Sequence, residues 1–308
     1  MDVTKFPLCP TLKAQLTKIR TKRNFNAEEW IEKKCTMLND YFRKCGLKGI
    51  VLNCSGGIDS SVTVALCRHA QQMPNSPFQK ILCLAQPIHS TQSIQNKAFV
   101  ICQHLGVEIV TIDQTPIFDS LKDLVQQQVN LKGSEFADGQ LRCYMRTPTV
   151  YYVTQLLNAS GIPSLVMGTG NFDEDGYILY YCKAGDGVVD LSLISDLHKA
   201  EVYKVGYALN LPEVIVNAVP SADLWAGQTD EDELGFSYQF VELYTEYLMM
   251  NEEEQKAFMS ELDEEGIEQF NKWSAMAQRV HRRNLHKKNL PKTLPIYENM
   301  EEFLNRKD

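Results

Sequence analysis

The sequence predicts an α/β fold built on a doubly wound parallel sheet, with helical segments at both ends of the chain. Short apolar runs alternate with segments of helical periodicity between residues 49 and 167. Several of these apolar runs are nearly continuous, which is typical of strands that are buried on both faces of a parallel sheet. With 308 residues and 44% hydrophobic content, the chain is long and apolar enough to form a sizeable core.

The predicted elements follow one another in a regular order. Apolar side chains recur at helical spacing over residues 26–42, and Asn26 with Glu29 resembles a capping box at the start of that helix. A strand at 49–54 precedes a helix at 60–70. The remaining core elements are strands at 80–85, 108–112 and 163–167 and helices at 91–105 and 141–159. After about residue 197 the pattern becomes mostly helical, with dense acidic and apolar patterning at 231–250 and 252–283.

We expect residues 1–308 to form one domain with three parts. These are a helical N-terminal segment (1–48), a parallel-sheet core (49–196) and a mostly helical C-terminal region (197–308) that packs on the sheet. Ligands of such sheets bind beyond the carboxyl ends of the strands. The candidate sites below all follow predicted strands, so we expect them to meet at one edge of the sheet.

Charge and cysteine content exclude several classes of partner. A formal net charge of −8 gives no general attraction for nucleic acid or anionic lipid. No apolar run approaches the roughly 18 residues of a membrane-spanning helix, and the first residues do not resemble a secretory signal. None of the nine cysteines forms a C-x-x-C pair, which disfavours zinc. Buried, reduced thiols and a cytoplasmic location are therefore expected.

The first candidate site is the segment SGGIDSS at residues 55–61, between a predicted strand and a predicted helix. Gly56 and Gly57 let backbone N–H groups approach an anion, and the helix N-terminus favours negative charge. Asp59 would repel a phosphate unless a cation lay between them, which indicates Mg²⁺. The segment lacks the Walker A and G-x-G-x-x-G patterns. An ordinary glycine-rich turn is the alternative interpretation.

The second candidate site follows the predicted strand 163–167 and begins with GTGNFDEDG at residues 168–176. Three consecutive acidic residues at a strand end, beside a phosphate site, suggest a second metal ligand. A solvated acidic turn is the alternative. An aromatic run then leads to Lys183, Asp186 and Asp190, which are suited to a polar ligand that contains a ring.

Several motifs occur together in an order that resembles one enzyme family. SGGIDSS, GTGNFDEDGY, CKAGDGVVDL, SDLHKAEVY and PSADLWAGQTDEDELGFSY extend from residue 49 to residue 238, and HKKNLP follows near the C-terminus. The chain resembles the ammonia-dependent NAD synthetases of the ATP-pyrophosphatase (SGGxDS) family. This resemblance implies a Rossmann-like fold of the adenine-nucleotide-hydrolase type and an ATP-dependent C–N ligase. The implied reaction amidates deamido-NAD with ammonia through an acyl-adenylate and releases AMP and pyrophosphate.

The resemblance also implies roles for individual residues. Asp59, Glu174 and Lys199 would be catalytic, with Asp59 and Glu174 as ligands of Mg²⁺. ATP would be bound by Ser55, Gly57, Asp59, Ser60, Thr169, Lys199 and Ser221. Deamido-NAD would be bound by Phe136, Arg146, Lys183, Asp186, Asp190, His286 and Lys287. Residues 220–233 would close over the site as a lid, and two copies of the chain would form a homodimer.

Two positions depart from the family pattern, and the first of them keeps an alternative open. Tyr144 stands where the family usually carries arginine, whereas Arg146 fits, and Gln86 stands where methionine is common. A related adenylating amidase that acts on nicotinate mononucleotide or another carboxylate is therefore the alternative function. We expect free ammonia as the nitrogen donor, because no cysteine lies in a Gly-x-Cys-x-Gly elbow and about 48 residues precede the synthetase motifs.

Overall fold

The computed structural model describes residues 4–90, 92–218 and 229–288. A parallel sheet of five strands lies at its centre, in the order β3-β2-β1-β4-β5. The strands are β1 (Gly49–Asn53), β2 (Lys80–Ala85), β3 (Glu108–Thr111), β4 (Ser164–Gly168) and β5 (Leu191–Ser192). The predicted fold class is confirmed. The fifth strand is only two residues long, too short to show as an apolar run.

Twelve α-helices surround the sheet in the described residues. They are α1 (Pro10–Arg23), α2 (Ala27–Cys45), α3 (Ile58–Gln72), α4 (Gln92–Leu105), α5 (Thr115–Val129), α6 (Glu135–Ala159), α7 (Lys199–Ala208), α8 (Glu213–Val216), α9 (Asp230–Leu234), α10 (Tyr238–Met249), α11 (Glu252–Ser260) and α12 (Glu264–Asn284). None of the described helices combines the length and apolarity needed to cross a membrane. The partition into three parts within one domain stays a prediction.

The central strand β1 pairs in parallel with both β2 and β4. Side chains alternate across the sheet, so Ile50 and Leu52 join one hydrophobic cluster with α2, α3 and α7. Val51 joins a second cluster with α6 on the opposite face. Helices on both faces explain why nearly all of β1 is buried.

The strand order places a topological switch point between β1 and β4. From β1 the chain moves outward through β2 to β3, and it then returns to the other side of β1 as β4. The loops that follow β1 and β4 therefore leave the same edge of the sheet side by side. Both candidate sites lie in these two loops, as predicted.

Three helical segments differ from the sequence expectation. Helix α6 begins at Glu135 rather than 141, because Ser134 accepts a hydrogen bond from the Ala137 amide and caps an earlier turn. The patterned stretch 231–250 is divided between α9 and α10 at Gly235, whose φ of +77° ends the first helix. The stretch 252–283 is divided between α11 and α12, and Asp263 caps the second.

The N-terminal helix α1, which the pattern did not predict, packs with the C-terminal helices in a hydrophobic core separate from the two clusters on the sheet. Leu12 and Leu16 pack there with Phe240, Phe270 and Trp273. Arg20 of α1 also forms an ion pair with buried Glu242 of α10, with 2.6 Å between Nη2 and Oε2. Helix α1 and the C-terminal helices therefore form one helical unit beside the sheet.

Candidate active site

The loop after β1 is shaped by short contacts within the SGGIDSS segment. The Ser55 hydroxyl lies 3.1 Å from that of Ser60 and accepts a hydrogen bond from the Gly57 amide at 3.2 Å. Gly56 has a φ of +77°, and a Cβ there would lie 2.5 Å from the Ala98 backbone nitrogen. Only glycine fits this position. The loop leads directly into α3, whose first N–H groups lack partners within the helix and point toward the site.

The loop after β4 is joined to the first loop by an asparagine. Asn171 donates a hydrogen bond of 2.9 Å from its side-chain nitrogen to Asp59 Oδ1. Its side-chain oxygen accepts the Glu174 amide at 3.1 Å. Asn171 is fully buried. It was not predicted as a site residue, although it lies within the GTGNFDED motif.

Residues Asp173–Tyr177 form a π-helical turn that carries Glu174 toward the first loop. Turns of this kind occur often at functional sites, because the widened helix changes the direction of its side chains. The Lys199 ammonium lies between the two predicted metal ligands, 2.6 Å from Asp59 Oδ2 and 2.8 Å from Glu174 Oε1. The structure thus brings Asp59, Glu174 and Lys199 together, and we call these three residues the catalytic corner.

The catalytic corner has more negative than positive charge. Burial disfavours the Lys199 ammonium, but Asp59, Glu174 and Asp230 outweigh burial and raise its pKa well above the usual range. Burial, followed by the charge of Glu174, raises the pKa of the neighbouring Asp175 to about 8. Several carboxyl groups thus surround a single ammonium, an arrangement that favours binding of a further cation.

A tyrosine and an aspartate from the C-terminal region complete the corner. The Tyr238 hydroxyl lies 3.0 Å from Glu174 Oε1 and 2.9 Å from Asp230 Oδ2. Burial, followed by the charge of Glu174, raises the pKa of Asp230 to about 6. Neither residue was predicted as a site residue, although both lie in the motif that ends DEDELGFSY. Ser221 and most of the predicted lid 220–233 lie outside the described residues.

A pocket opens beside the catalytic corner, between α6, β4 and the loop before β5. Its lining includes Thr169, Arg146 and Asp186, which were all predicted as ligand-binding residues. Cys143 and Gly168 also line it. Arg146 is held in place because its Nε donates to the Gln86 carbonyl at 3.3 Å. The pocket is therefore lined both by a residue predicted to bind ATP and by residues predicted to bind deamido-NAD.

Three residues predicted to bind deamido-NAD form what we call the basic rim, consisting of Lys183, His286 and Lys287. The Lys183 ammonium donates to the His286 carbonyl at 2.6 Å. The Lys287 ammonium donates to the carbonyls of Tyr181 and Leu179, at 2.6 and 3.1 Å. Burial lowers the pKa of Lys287. These contacts fasten the 3₁₀ turn Leu285–Lys287, which follows α12, to the segment that leads into the pocket.

The two remaining residues predicted to bind deamido-NAD lie outside this pocket and outside the basic rim. Asp190 accepts hydrogen bonds from the Val166 amide at 2.8 Å and the Tyr151 hydroxyl at 3.1 Å, so its carboxylate fastens β4 to α6. Phe136 is 62% exposed in the first turn of α6. Within the part of the chain that the structure describes, neither lines the pocket beside Thr169.

Comparison with known proteins gives a consistent family. Residues 30–291 match the profile of the NAD synthase family. The chain is 32% identical to the NH(3)-dependent NAD(+) synthetase of Alkaliphilus oremlandii, over 86% of this chain and 96% of that protein. It is 34% identical to the enzyme of the same description from Methanosarcina mazei, over 84% of this chain and 95% of that protein.

Solved structures agree on the fold. The NMN synthetase of Francisella tularensis has a TM-score of 0.70 and 26% identity, and the match covers 89% of this chain and all of that one. The NH3-dependent NAD synthetase of Campylobacter jejuni has a TM-score of 0.65 and 23% identity, over 88% of this chain and all of that one. Together with the geometry of the two loops after β1 and β4, the match over residues 30–291 establishes that the chain belongs to the NAD synthase family.

Proposed function

We propose that this protein amidates deamido-NAD to NAD, with ATP as co-substrate and ammonia as nitrogen donor. The nicotinate carboxylate attacks the α-phosphorus of ATP and forms an acyl-adenylate, and pyrophosphate leaves. Ammonia then attacks the acyl carbon, and AMP leaves. The observation that carries this proposal is the catalytic corner, in which Lys199 lies between Asp59 and Glu174 at the switch point of the sheet.

The residues of the two loops suit the first step. The amides of the SGG loop and the N-terminus of α3 bind the β- and γ-phosphates, helped by the hydroxyls of Ser55 and Ser60. Negative charge develops on pyrophosphate as it leaves, and the buried Lys199 ammonium lies close enough to neutralise it. No nucleophilic side chain is required, because the substrate carboxylate is itself the nucleophile.

The residues present fit Mg²⁺. Asp59 and Glu174 approach one ammonium from two sides, so their oxygens already converge on a point where positive charge is stable. Across the described ranges, no cluster of three or more side chains forms a complete metal cage. Mg²⁺ bound by one or two carboxylates takes its remaining ligands from phosphate oxygens and water. When bound, it would supply neutralisation of the phosphate charge.

The second step requires neutral ammonia. Asp186 and Asp190, the two carboxylates predicted to bind deamido-NAD, are the candidates for the group that accepts a proton from ammonium. The carboxylate of Asp190 is occupied by Val166 and Tyr151, whereas Asp186 lines the pocket. We therefore assign this role to Asp186.

A second candidate substrate is nicotinate mononucleotide. The likeness to an NMN synthetase favours it, as does Tyr144, which replaces an arginine that is common in the resembling enzymes. Tyr144 is 41% exposed on the same helix as Arg146. The loss of a cation at this position would weaken contacts with the additional phosphate and adenosine of the dinucleotide.

We further propose that the protein is a cytoplasmic homodimer. All nine cysteines are free and eight of them are buried, which fits a reducing compartment.

The surface that would form the dimer lies on helix α5, which exposes an apolar stripe made of Ile117, Leu121, Leu124, Val125 and Val129. A two-fold axis would pack this stripe against its own copy. Light scattering would report about twice the 35.1 kDa of one chain, and about 35.1 kDa for Leu124→Lys.

One set of reactions tests the proposed function. Purified protein is incubated with ATP, Mg²⁺ and ammonium, and with either deamido-NAD or nicotinate mononucleotide, and the products are identified by mass. We expect AMP, pyrophosphate and NAD, with the higher kcat/KM for the dinucleotide. ADP as primary product would refute the adenylation step, and a higher kcat/KM for the mononucleotide would establish the second candidate. Glutamine in place of ammonium should give no product.

A further inference from the structure

A fully buried histidine lies directly beneath the catalytic corner. His198 and Asp173 each have side chains with no solvent exposure, and 2.7 Å separates His198 Nδ1 from Asp173 Oδ1. The other oxygen of Asp173 accepts the Lys199 amide at 2.7 Å. Asp173 precedes Glu174, and His198 precedes Lys199. The π-helical turn and the start of α7 are therefore joined twice, once between Asp173 and His198 and once between Glu174 and Lys199 in the corner.

The surroundings of His198 require a doubly protonated ring. Its Nε2 lies 3.0 Å from Glu246 Oε1 of α10, so both ring nitrogens face carboxylate oxygens and both must donate. Glu242 of α10 adds further negative charge. On its own helix, Glu201 accepts the His198 amide, and Arg23 of α1 pairs with both Glu201 and Glu246. The Phe172 ring meets the imidazole edge to face, 5.3 Å between centroids.

We propose that His198 is a positioning residue that, as an imidazolium, holds Asp173 and thereby sets the distances among Lys199, Glu174 and Asp59. The inference rests on the proposed adenylation at this site and adds a residue to it. The Asp173 carboxylate joins the π-helical turn to the first turn of α7 through its contacts with the His198 ring and the Lys199 amide. Errors of about 1 Å at a reacting centre cost on the order of 100-fold in rate.

The test compares His198→Gln with His69→Gln. His69 also faces a carboxylate, that of Glu32 at 2.7 Å, but it lies near the far end of α3 from Asp59. ATP–pyrophosphate exchange in the presence of deamido-NAD reports the adenylation step. Below the unfolding temperature of each variant, we expect His198→Gln to lower kcat per folded molecule about 30-fold and change the KM for ATP less than about threefold. His69→Gln should stay within about twofold of the wild type.

A second measurement does not depend on catalysis. Acetylation of Lys199 by an acetylating reagent, followed by peptide mass spectrometry, should be at least about fivefold faster in His198→Gln, because the ammonium is no longer held between two carboxylates. Asp173→Asn should reproduce both effects, and the double variant should lose no more than either single one. Unchanged labelling together with unchanged kcat would overturn the proposal. Faster labelling of Lys199 in His198→Gln than in the wild type, together with no ATP–pyrophosphate exchange by the wild type, would sustain the positioning role and refute adenylation.

Discussion

The catalytic corner and the basic rim are held together in different ways. In the corner, Lys199 contacts the carboxylates of Asp59 and Glu174, and all three side chains are mostly buried. In the rim, Lys183 and Lys287 contact backbone carbonyls. A carbonyl carries only a partial charge, so a rim lysine can be transferred to a substrate phosphate at small cost. The corner is therefore built in advance for chemistry, whereas the rim is suited to exchanging its partners when substrate arrives.

The largest effect should come from removing charge in the corner. We expect Asp59→Asn and Glu174→Gln each to lower kcat at least about 100-fold, a loss of roughly 2.7 kcal/mol of transition-state stabilisation. The fold should survive both substitutions. Burial raises the pKa of Asp59, so Asp59→Asn should leave the melting temperature the same or higher. Burial alone would also raise the pKa of Glu174, but the ion pair with Lys199 outweighs burial and lowers that pKa, so Glu174→Gln should lower the melting temperature slightly. Steady-state kinetics and calorimetry check both statements, with the exposed Glu32→Gln as control.

A near-normal rate in either corner variant would remove that residue from the metal site. A large fall in melting temperature together with the rate would show that the corner holds the fold rather than the phosphates. Either result would erase the distinction between the corner and the rim.

A smaller effect is expected for Tyr238→Phe, which keeps the ring but removes the hydroxyl between Glu174 and Asp230. A hydrogen bond to a charged group contributes about 1.5–3 kcal/mol. We expect kcat to fall on the order of 20-fold, with a KM for deamido-NAD close to normal. If instead only that KM rises, Tyr238 belongs with the substrate-binding residues and not with the corner.

Substitutions in the basic rim should change the KM for deamido-NAD more than kcat. Lys183→Met removes one cation that contacts the His286 carbonyl. We expect the KM for deamido-NAD to rise about 10-fold, or roughly 1.4 kcal/mol, while kcat changes less than about threefold. Lys44→Met, a substitution near the end of α2, is the matched control. Equal losses in kcat and kcat/KM would show that Lys183 acts in the transition state, and the rim would then resemble the corner.

The sequence predicted the corner more completely than its surroundings. Glycines and carboxylates just after two strands of a parallel sheet must meet at one edge, which is why Asp59 and Glu174 lie together. Tyr238 could not be placed in the same way, since it reaches Glu174 across 64 positions of sequence and through a separate helical core. Asn171 lies in the GTGNFDED motif, but the functional interpretation of that motif was based on its acidic residues.

Other site residues depended on the family resemblance, which assigns roles by position in a motif. Asp190 shows what that argument leaves open, and its role toward deamido-NAD stays a prediction. The structure occupies its carboxylate with the Val166 amide and the Tyr151 hydroxyl, so it fastens the sheet. Spacing alone does not distinguish a carboxylate that faces a substrate from one that faces a neighbouring strand.

The last effect is on stability rather than on rate, and it is the pH dependence of stability beneath the corner. Burial alone would lower the pKa of His198, but the hydrogen bonds that its ring donates to Asp173 and Glu246 outweigh burial and raise it to about 10 from an ordinary 6.5. The folded protein thus retains a proton that the unfolded chain releases above pH 6.5. This contribution to stability is fully present below about pH 6.5, and it is lost progressively as pH rises toward the folded-state pKa of about 10.

The difference in unfolding free energy between wild type and His198→Gln isolates this contribution, because groups unaffected by the substitution cancel. We expect the wild-type advantage to shrink by about 1–3 kcal/mol between pH 6.5 and pH 9.5, which is less than the limiting slope of about 1.4 kcal/mol per pH unit allows. Urea unfolding at four pH values measures it. A constant difference for His198→Gln would mean that the ring is neutral in the folded protein, and that the corner rests on an ordinary hydrogen bond instead of a buried cation.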